Sequence, residues 1–420
     1  MGNTMLYVTR ITFCVFVVFA MCLLGMLFYA RTAGQQKPII IYQKAAPCAS
    51  AASVRGAEVE VTSQSKASST TLTTRASFEA PQRTTEEQQH LFCFFNKSAP
   101  ASFDVSKIPV GLCTHLVYCA VGIDSSTFTI RLTDSEQSKI ERFAAFGQPS
   151  KLLVLVGQSR QDWRAYLDIA SDRHLARDFG LKVRSWLQEQ NLDGVVIDWP
   201  NGEEQQAMTE LVSGVKRAMG DDQLLAVLLP HDQRRRRAAF DVRGLVVLAD
   251  FLLFRMYGSH GLRRTEFPIT EEDVALFPKA VRSETGREAF RKACMILPLA
   301  GLKFLRGKVS RGRGSRDRAG HLAGSLGYRH LCTANWTRAR AGHYGSTASR
   351  GAVWVGYHDG AQLAGIVRVA RRKHGVRCFG LWALEDDDFR ATCSATRFPL
   401  LRAVAGECKA SSKHARLRSQ

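Results

Sequence analysis

Eight short, nearly continuous apolar runs, separated by stretches with helical spacing, constrain this chain more than any other feature. They are LFCFF from Leu91, HLVYCAV from His115, KLLVLVG from Lys151, GVVIDW from Gly194, LLAVLLP from Leu224, FLLFRMY from Phe251, CMILPLA from Cys294 and CFGLWAL from Cys378. Their length and unbroken apolarity suit strands covered on both faces. Between them, 132–146 opens on Thr133-Asp134-Ser135-Glu136, a helix-capping pattern. The stretches 172–189, 203–219, 271–291 and 360–374 carry apolar residues at helical spacing. Strand and helix alternating in this way predict an α/β chain closed as a TIM (β/α)8 barrel, with its site at the carboxyl ends of the strands. An open doubly wound sheet is the alternative, but no glycine-rich phosphate loop follows an early strand.

The flanks have a different texture. Residues 11–30 are apolar and uncharged up to Ala30, between Arg10 and Arg31, about the length of a bilayer-spanning helix. A signal anchor after a short tail (1–10) is therefore expected, with a cleaved signal peptide and a secreted product as the alternative. Residues 31–89 are Ser-, Thr- and Gln-rich and predict a disordered stem. The barrel is expected over 90–408 and a basic tail over 409–420. Asn96-Lys97-Ser98 and Asn335-Trp336-Thr337 are glycosylation acceptors. They favour a single-pass type II arrangement with a lumenal or extracellular barrel.

The formal charge is +20, which suits an anionic partner. Arginine dominates it, in Arg234 to Arg237 and in the run from Arg306 to Arg318. No zinc-knuckle spacing or aromatic RNA-binding strand accompanies the arginines, so no nucleic-acid partner is predicted. Both clusters follow strand ends and belong either to the ligand face or to solvated loops. The tetra-arginine also reads as a processing site.

In order along the chain, several segments resemble the family-18 glycoside hydrolases, the chitinases and chitinase-like lectins. They are Phe92-Cys93-Phe94-Phe95, Leu112 to Tyr118, Leu192 to Trp199, Trp354 to Asp359 and Trp382 to Phe389. The resemblance implies disulfides Cys93–Cys113 and Cys332–Cys393. Cys119, Cys294, Cys378 and Cys408 are left unassigned, the first three as buried small hydrophobes. It also implies substrate-assisted hydrolysis of β-1,4-linked N-acetylglucosamine polymers, with no metal or cofactor. A glutamic acid protonates the leaving oxygen, and aspartates two apart on the fourth strand support it.

On that pattern Asp193, Gly194, Asp198 and Trp199 match, while Val196 stands in the inner aspartate position and Pro200 in that of the acid. Proline carries no dissociable proton. Tyr257 is kept, but Gly258, Ala300 and Ser98 replace polar or aromatic contacts to sugar, and Gln158 replaces a glycine. The sequence therefore predicts no catalytic residue and a degenerate motif (Asp193, Val196, Asp198, Pro200). Asp198, without carboxylate neighbours, is expected to stay ionised.

Glycan contacts are expected from Trp382, Tyr257 and Asp198, with Trp163 on a helix face as packing. The expected ligands are chitin-like N-acetylglucosamine polymers or anionic glycans. The alternatives are a divergent active chitinase using Glu203 and a protein-interaction scaffold with no glycan ligand. The short, Arg- and Gly-rich interval from Leu302 to Val353 implies a shallow basic wall in place of an inserted domain. The sequence carries no signal for oligomeric state.

Overall fold

The computed structural model describes residues 89–416, apart from 147–148, 158, 200–204, 257–266, 306–320, 332–335, 341–342 and 344. All eight apolar runs are strands: β1 (His90–Asn96), β2 (His115–Ile123), β4 (Lys151–Val156), β5 (Gly194–Asp198), β6 (Leu224–Pro230), β7 (Phe251–Arg255), β8 (Ala293–Pro298) and β14 (Cys378–Trp382). They pair in the order β1-β14-β8-β7-β6-β5-β4-β2, and β1 closes on β2, every pairing parallel. The two-residue β3 (Ile130–Arg131) adds antiparallel to β2. The closed barrel expected from the sequence is present.

Period-two alternation divides these strands between two cores. Phe92, Phe94, Val117, Cys119, Leu153, Leu155, Val196, Ala226, Leu228, Leu253, Cys294, Ile296 and Cys378 fill the barrel interior. Their neighbours, among them Cys93, Tyr118, Val195, Ile197, Phe254 and Leu297, pack against the surrounding helices. The helices are amphipathic and deliberately capped. Asp134–Ala144, Arg160–Ala170, Glu271–Thr285 and Gly360–His374 each begin with a capping box, which satisfies backbone donors that would otherwise be orphaned. Trp163 packs on the outer core, as expected. The helix predicted over 271–291 ends earlier, because Gly286 turns the chain at φ +83°. The helix Pro399–Arg416 continues past Cys408.

Four expectations are corrected. First, among the described residues no helix is long and apolar enough to cross a membrane. The predicted span 11–30 and stem 31–89 fall almost wholly outside the described residues, which begin at Gln89. The described fold is the barrel, and a membrane-anchored type II arrangement is not part of it. Second, Cys294 and Cys378 are not simple buried thiols. They are register partners on β8 and β14, both facing the interior with Cα atoms 4.4 Å apart, and they form a disulfide. Cys93–Cys113 forms as predicted. Cys393 is disulfide-bonded, and its expected partner Cys332 lies outside the described residues.

Third, the interval after β8 is no bare wall. β9 (Ala300–Leu305), β10 (His321–Gly327), β11 (Thr337–Arg340), β12 (Ser346–Arg350) and β13 (Val353–Tyr357) form an antiparallel sheet in the order β10-β9-β13-β12-β11. It has a small core of Leu331, Ala348, Val355 and Tyr357. The run Arg306 to Arg318 lies outside the described residues.

Fourth, the tetra-arginine is not a solvated loop. It sits in the helix Gln233–Ala239, and Arg236 is fully buried. Its Nε donates to Glu284 Oε2 at 2.6 Å, its Nη2 to Glu284 Oε1 at 3.1 Å, and its Nη1 to the carbonyls of Pro230 and His231. Arg237 Nε also lies 3.4 Å from Glu284 Oε1, but it is exposed and leaves the buried contacts of Arg236 unreplaced, and breaking such a buried pair costs about 3–5 kcal/mol. Arg236→Ala is therefore expected to lower unfolding free energy by about that amount in urea titration, against under about 0.5 kcal/mol for exposed Arg234→Ala. Equal small effects would contradict the assignment.

Candidate functional site

The carboxyl ends of the strands carry the polar side chains that the interior excludes. Asn96 ends β1, Asp198 ends β5, Arg255 ends β7 and Trp382 ends β14. Along β5, Val196 and Asp198 share the inward face, but with different surroundings. Val196 is fully buried in the interior core, against the apolar side chains of neighbouring strands. A carboxylate there would lie in a dry environment.

Asp198 is 3% exposed, and its Oδ2 accepts from Arg255 Nη2 at 2.8 Å. Its Oδ1 has no hydrogen-bond partner among the described residues. Burial pushes the Asp198 carboxyl above its usual range, and the Arg255 charge and hydrogen bond pull it back. The expected ionisation of Asp198 thus depends on Arg255, a residue the motif comparison passed over. Arg255 occupies the inward position of FLLFR after Phe251 and Leu253, so strand parity alone marks it as facing the site. Its guanidinium carbon lies 5.8 Å from the Trp382 ring centroid, within cation–π reach. The Phe94 ring packs tilted against Trp382, with centroids 5.0 Å apart.

Glu385, three residues past β14, forms a second cluster. Its carboxylate accepts from the side-chain amide of Asn96 and, at 3.3 Å, from the Asn96 backbone N–H. The Asn96 Nδ2 that would carry a glycan is therefore engaged by Glu385. Burial pushes the Glu385 carboxyl up to about 7 against these hydrogen bonds, and Asp386 adds to the rise. Burial likewise raises Asp386 to about 6 and Asp387 to about 7. Asp387 accepts from the N–H groups of Leu400 and Leu401, at the start of the helix Pro399–Arg416. Asp388 holds Thr392 and Cys393. The acidic run after the eighth strand is thus largely a set of backbone anchors.

The remaining predicted residues separate. Asp193 lies at the opposite, amino end of β5, where it accepts from the Leu152 N–H at 2.8 Å and pairs with Lys151 at 2.7 Å. It stitches β4 to β5 and is not part of the mouth. Trp199 is buried on the outer side, 5.4 Å from the Tyr166 ring centroid. Gly157 has φ +86°, and a Cβ there would strike the Tyr166 ring and lie 2.8 Å from the Asp198 carbonyl oxygen. Ser98 is exposed. Pro200, Glu203, Tyr257, Gly258 and Asn335 lie outside the described residues.

The family model for glycosyl hydrolases family 18 matches residues 85–387, and this chain belongs to that family. Probable chitinase 10 of Drosophila melanogaster is 24% identical over 369 residues, which is 75% of this chain and 16% of that protein. The chain thus spans about a sixth of that relative. Catalytic domain 2 of the Ostrinia furnacalis Group II chitinase superposes with a TM-score of 0.66 at 19% identity, covering 77% of this chain and 97% of that one. Human YKL-39, described as a pseudo-chitinase with retained chitooligosaccharide binding properties, superposes with a TM-score of 0.63 at 18% identity, covering 76% and 99%. The fold is therefore shared with active chitinases and with a pseudo-chitinase.

The raised Glu385 pKa has a pH signature. Its folded-state value of about 7 lies above the ordinary 4.5, so the folded state holds this proton more tightly than the unfolded chain. The associated stability is present below the unfolded value and is lost as pH rises through about 7. Glu385→Gln, neutral throughout, should gain stability relative to the native chain as pH rises from 5 to 8. Urea midpoints measured across that range check this, and parallel curves would contradict it.

Proposed function

We propose that this chain is a family-18 protein without hydrolase activity that binds N-acetylglucosamine-containing or anionic glycans at the barrel mouth. One observation carries the reading: the fourth-strand carboxylate Asp198 is engaged by Arg255, while the neighbouring inward position, Val196, is part of the apolar interior. On the family pattern that aspartate supports a glutamic acid, whose place Pro200 takes. A general acid needs a dissociable proton within hydrogen-bond reach of the leaving oxygen, and proline has none. Similarity to a pseudo-chitinase supports the loss of chemistry.

Binding rests on Trp382, a partly exposed ring at the mouth, and on the positive charge of Arg255 beside it. Tyr257 follows β7 in the sequence and adds a candidate hydrogen bond. A second reading, a protein scaffold with no glycan ligand, draws support from the same Arg255, whose guanidinium lies over the Trp382 ring that a sugar would stack on.

The purified chain is expected to release no fluorophore from a fluorogenic chitooligosaccharide, at least about 100-fold below an active chitinase, since general acid catalysis alone contributes about that much or more. On a glycan array it should bind N-acetylglucosamine oligomers or sulfated glycans, and Trp382→Ala should abolish the signal. Turnover lost in Glu203→Gln would establish the divergent enzyme instead. No glycan binding at all would leave the scaffold.

A further inference from the structure

A cavity of about 400 Å³ lies outside the barrel, between the segment that follows β1 and the helix Asp134–Ala144. Asn96, which ends β1 at the mouth, borders it, but the cavity's aromatic and cationic residues take no part in the mouth contacts described above. Its wall is aromatic: Phe95 packs edge-on to Tyr118 at 5.5 Å and to Phe143 at 5.3 Å, and lies 6.0 Å from Phe103. Its rim is cationic. Lys97, Lys139 and Arg142 line it, with Asp104 as the opposing charge. Lys97 is paired with Glu136 at 2.5 Å, and the Lys139 ammonium donates to the Lys97 carbonyl at 2.9 Å. Lys139 and Arg142 stand three apart on the helix and so share a face.

Tyr118 also lines the cavity. It is 2% exposed, and its hydroxyl has no hydrogen-bond partner among the described residues. Buried hydroxyls are ordinarily bonded, so an unmet one needs an explanation. A cavity in the volume range of small-molecule sites, with aromatic residues in its wall, one unmet polar group and a charged rim, has the usual form of a binding pocket.

We infer that this cavity is a second binding site, separate from the barrel mouth, for a small anion with an aromatic body. The ring would lie against Phe103 and Phe143, the anionic group would face Lys139 and Arg142, and a polar atom would meet the Tyr118 hydroxyl. The inference does not depend on what the mouth binds.

The test uses the full chain and three probes followed by saturation-transfer NMR: 1-naphthoate, neutral 1-naphthamide and acetate. Naphthoate is expected to bind more tightly than naphthamide, with no binding of acetate. Tyr118→Phe and exposed Arg142→Ala should each weaken naphthoate about tenfold. Tyr118→Phe should be at least as heat-stable as the native chain without ligand, because it removes an unsatisfied hydroxyl. A hydroxyl with a purely structural bond would show the reverse, a less stable variant, and that would overturn the assignment. Failure of naphthoate to bind, or equal binding to all three proteins, would also overturn it.

Discussion

Closing eight parallel strands creates one interior with no route to water, and every second side chain on each strand must live in it. That constraint governs the rest of this structure. The interior here is apolar from Phe92 to Cys378 and is cross-linked by Cys294 and Cys378. Polar groups are tolerated only where the strands end. Val196 is buried two residues before the end of β5 and belongs to the packed interior; Asp198 ends the strand and meets Arg255. The same strand thus shows why one carboxylate position could become a core residue while the other persists.

The mouth is consequently held by pairs rather than by a stack of acids. Asp198 with Arg255 ties the end of β5 to that of β7, and Asn96 with Glu385 ties the end of β1 to the segment after β14. Asp387 and Asp388 tie the loop after β14 to the following helix and to Cys393. The carboxylates described at the mouth are engaged in pairs and backbone contacts, within a barrel that keeps the family's fold.

The barrel was legible because its signal is periodic and local: each apolar run became a strand, and inward parity distinguished Val196 and Asp198 from Trp199. The same parity marks Arg255 as inward, so that residue was readable, but comparison with a family motif drew attention to what was missing rather than to what had arrived. Other features depend on pairings that spacing does not reveal. The Cys294–Cys378 disulfide requires the β8–β14 register, and Arg236 is buried because Glu284, 48 residues away, meets it. The antiparallel sheet was missed because strands such as Thr337–Arg340 and Ser346–Arg350 carry no apolar run. The unmet Tyr118 hydroxyl is visible only once its neighbours are placed.

The central claim is that Asp198 is held by Arg255 at the barrel mouth. A double-mutant cycle on unfolding free energy, with Asp198→Asn, Arg255→Met and the pair, tests it most directly. A coupling of about 1.5 kcal/mol or more is predicted for a partly buried charged pair sharing one hydrogen bond. Single effects that add to within about 0.5 kcal/mol would contradict it.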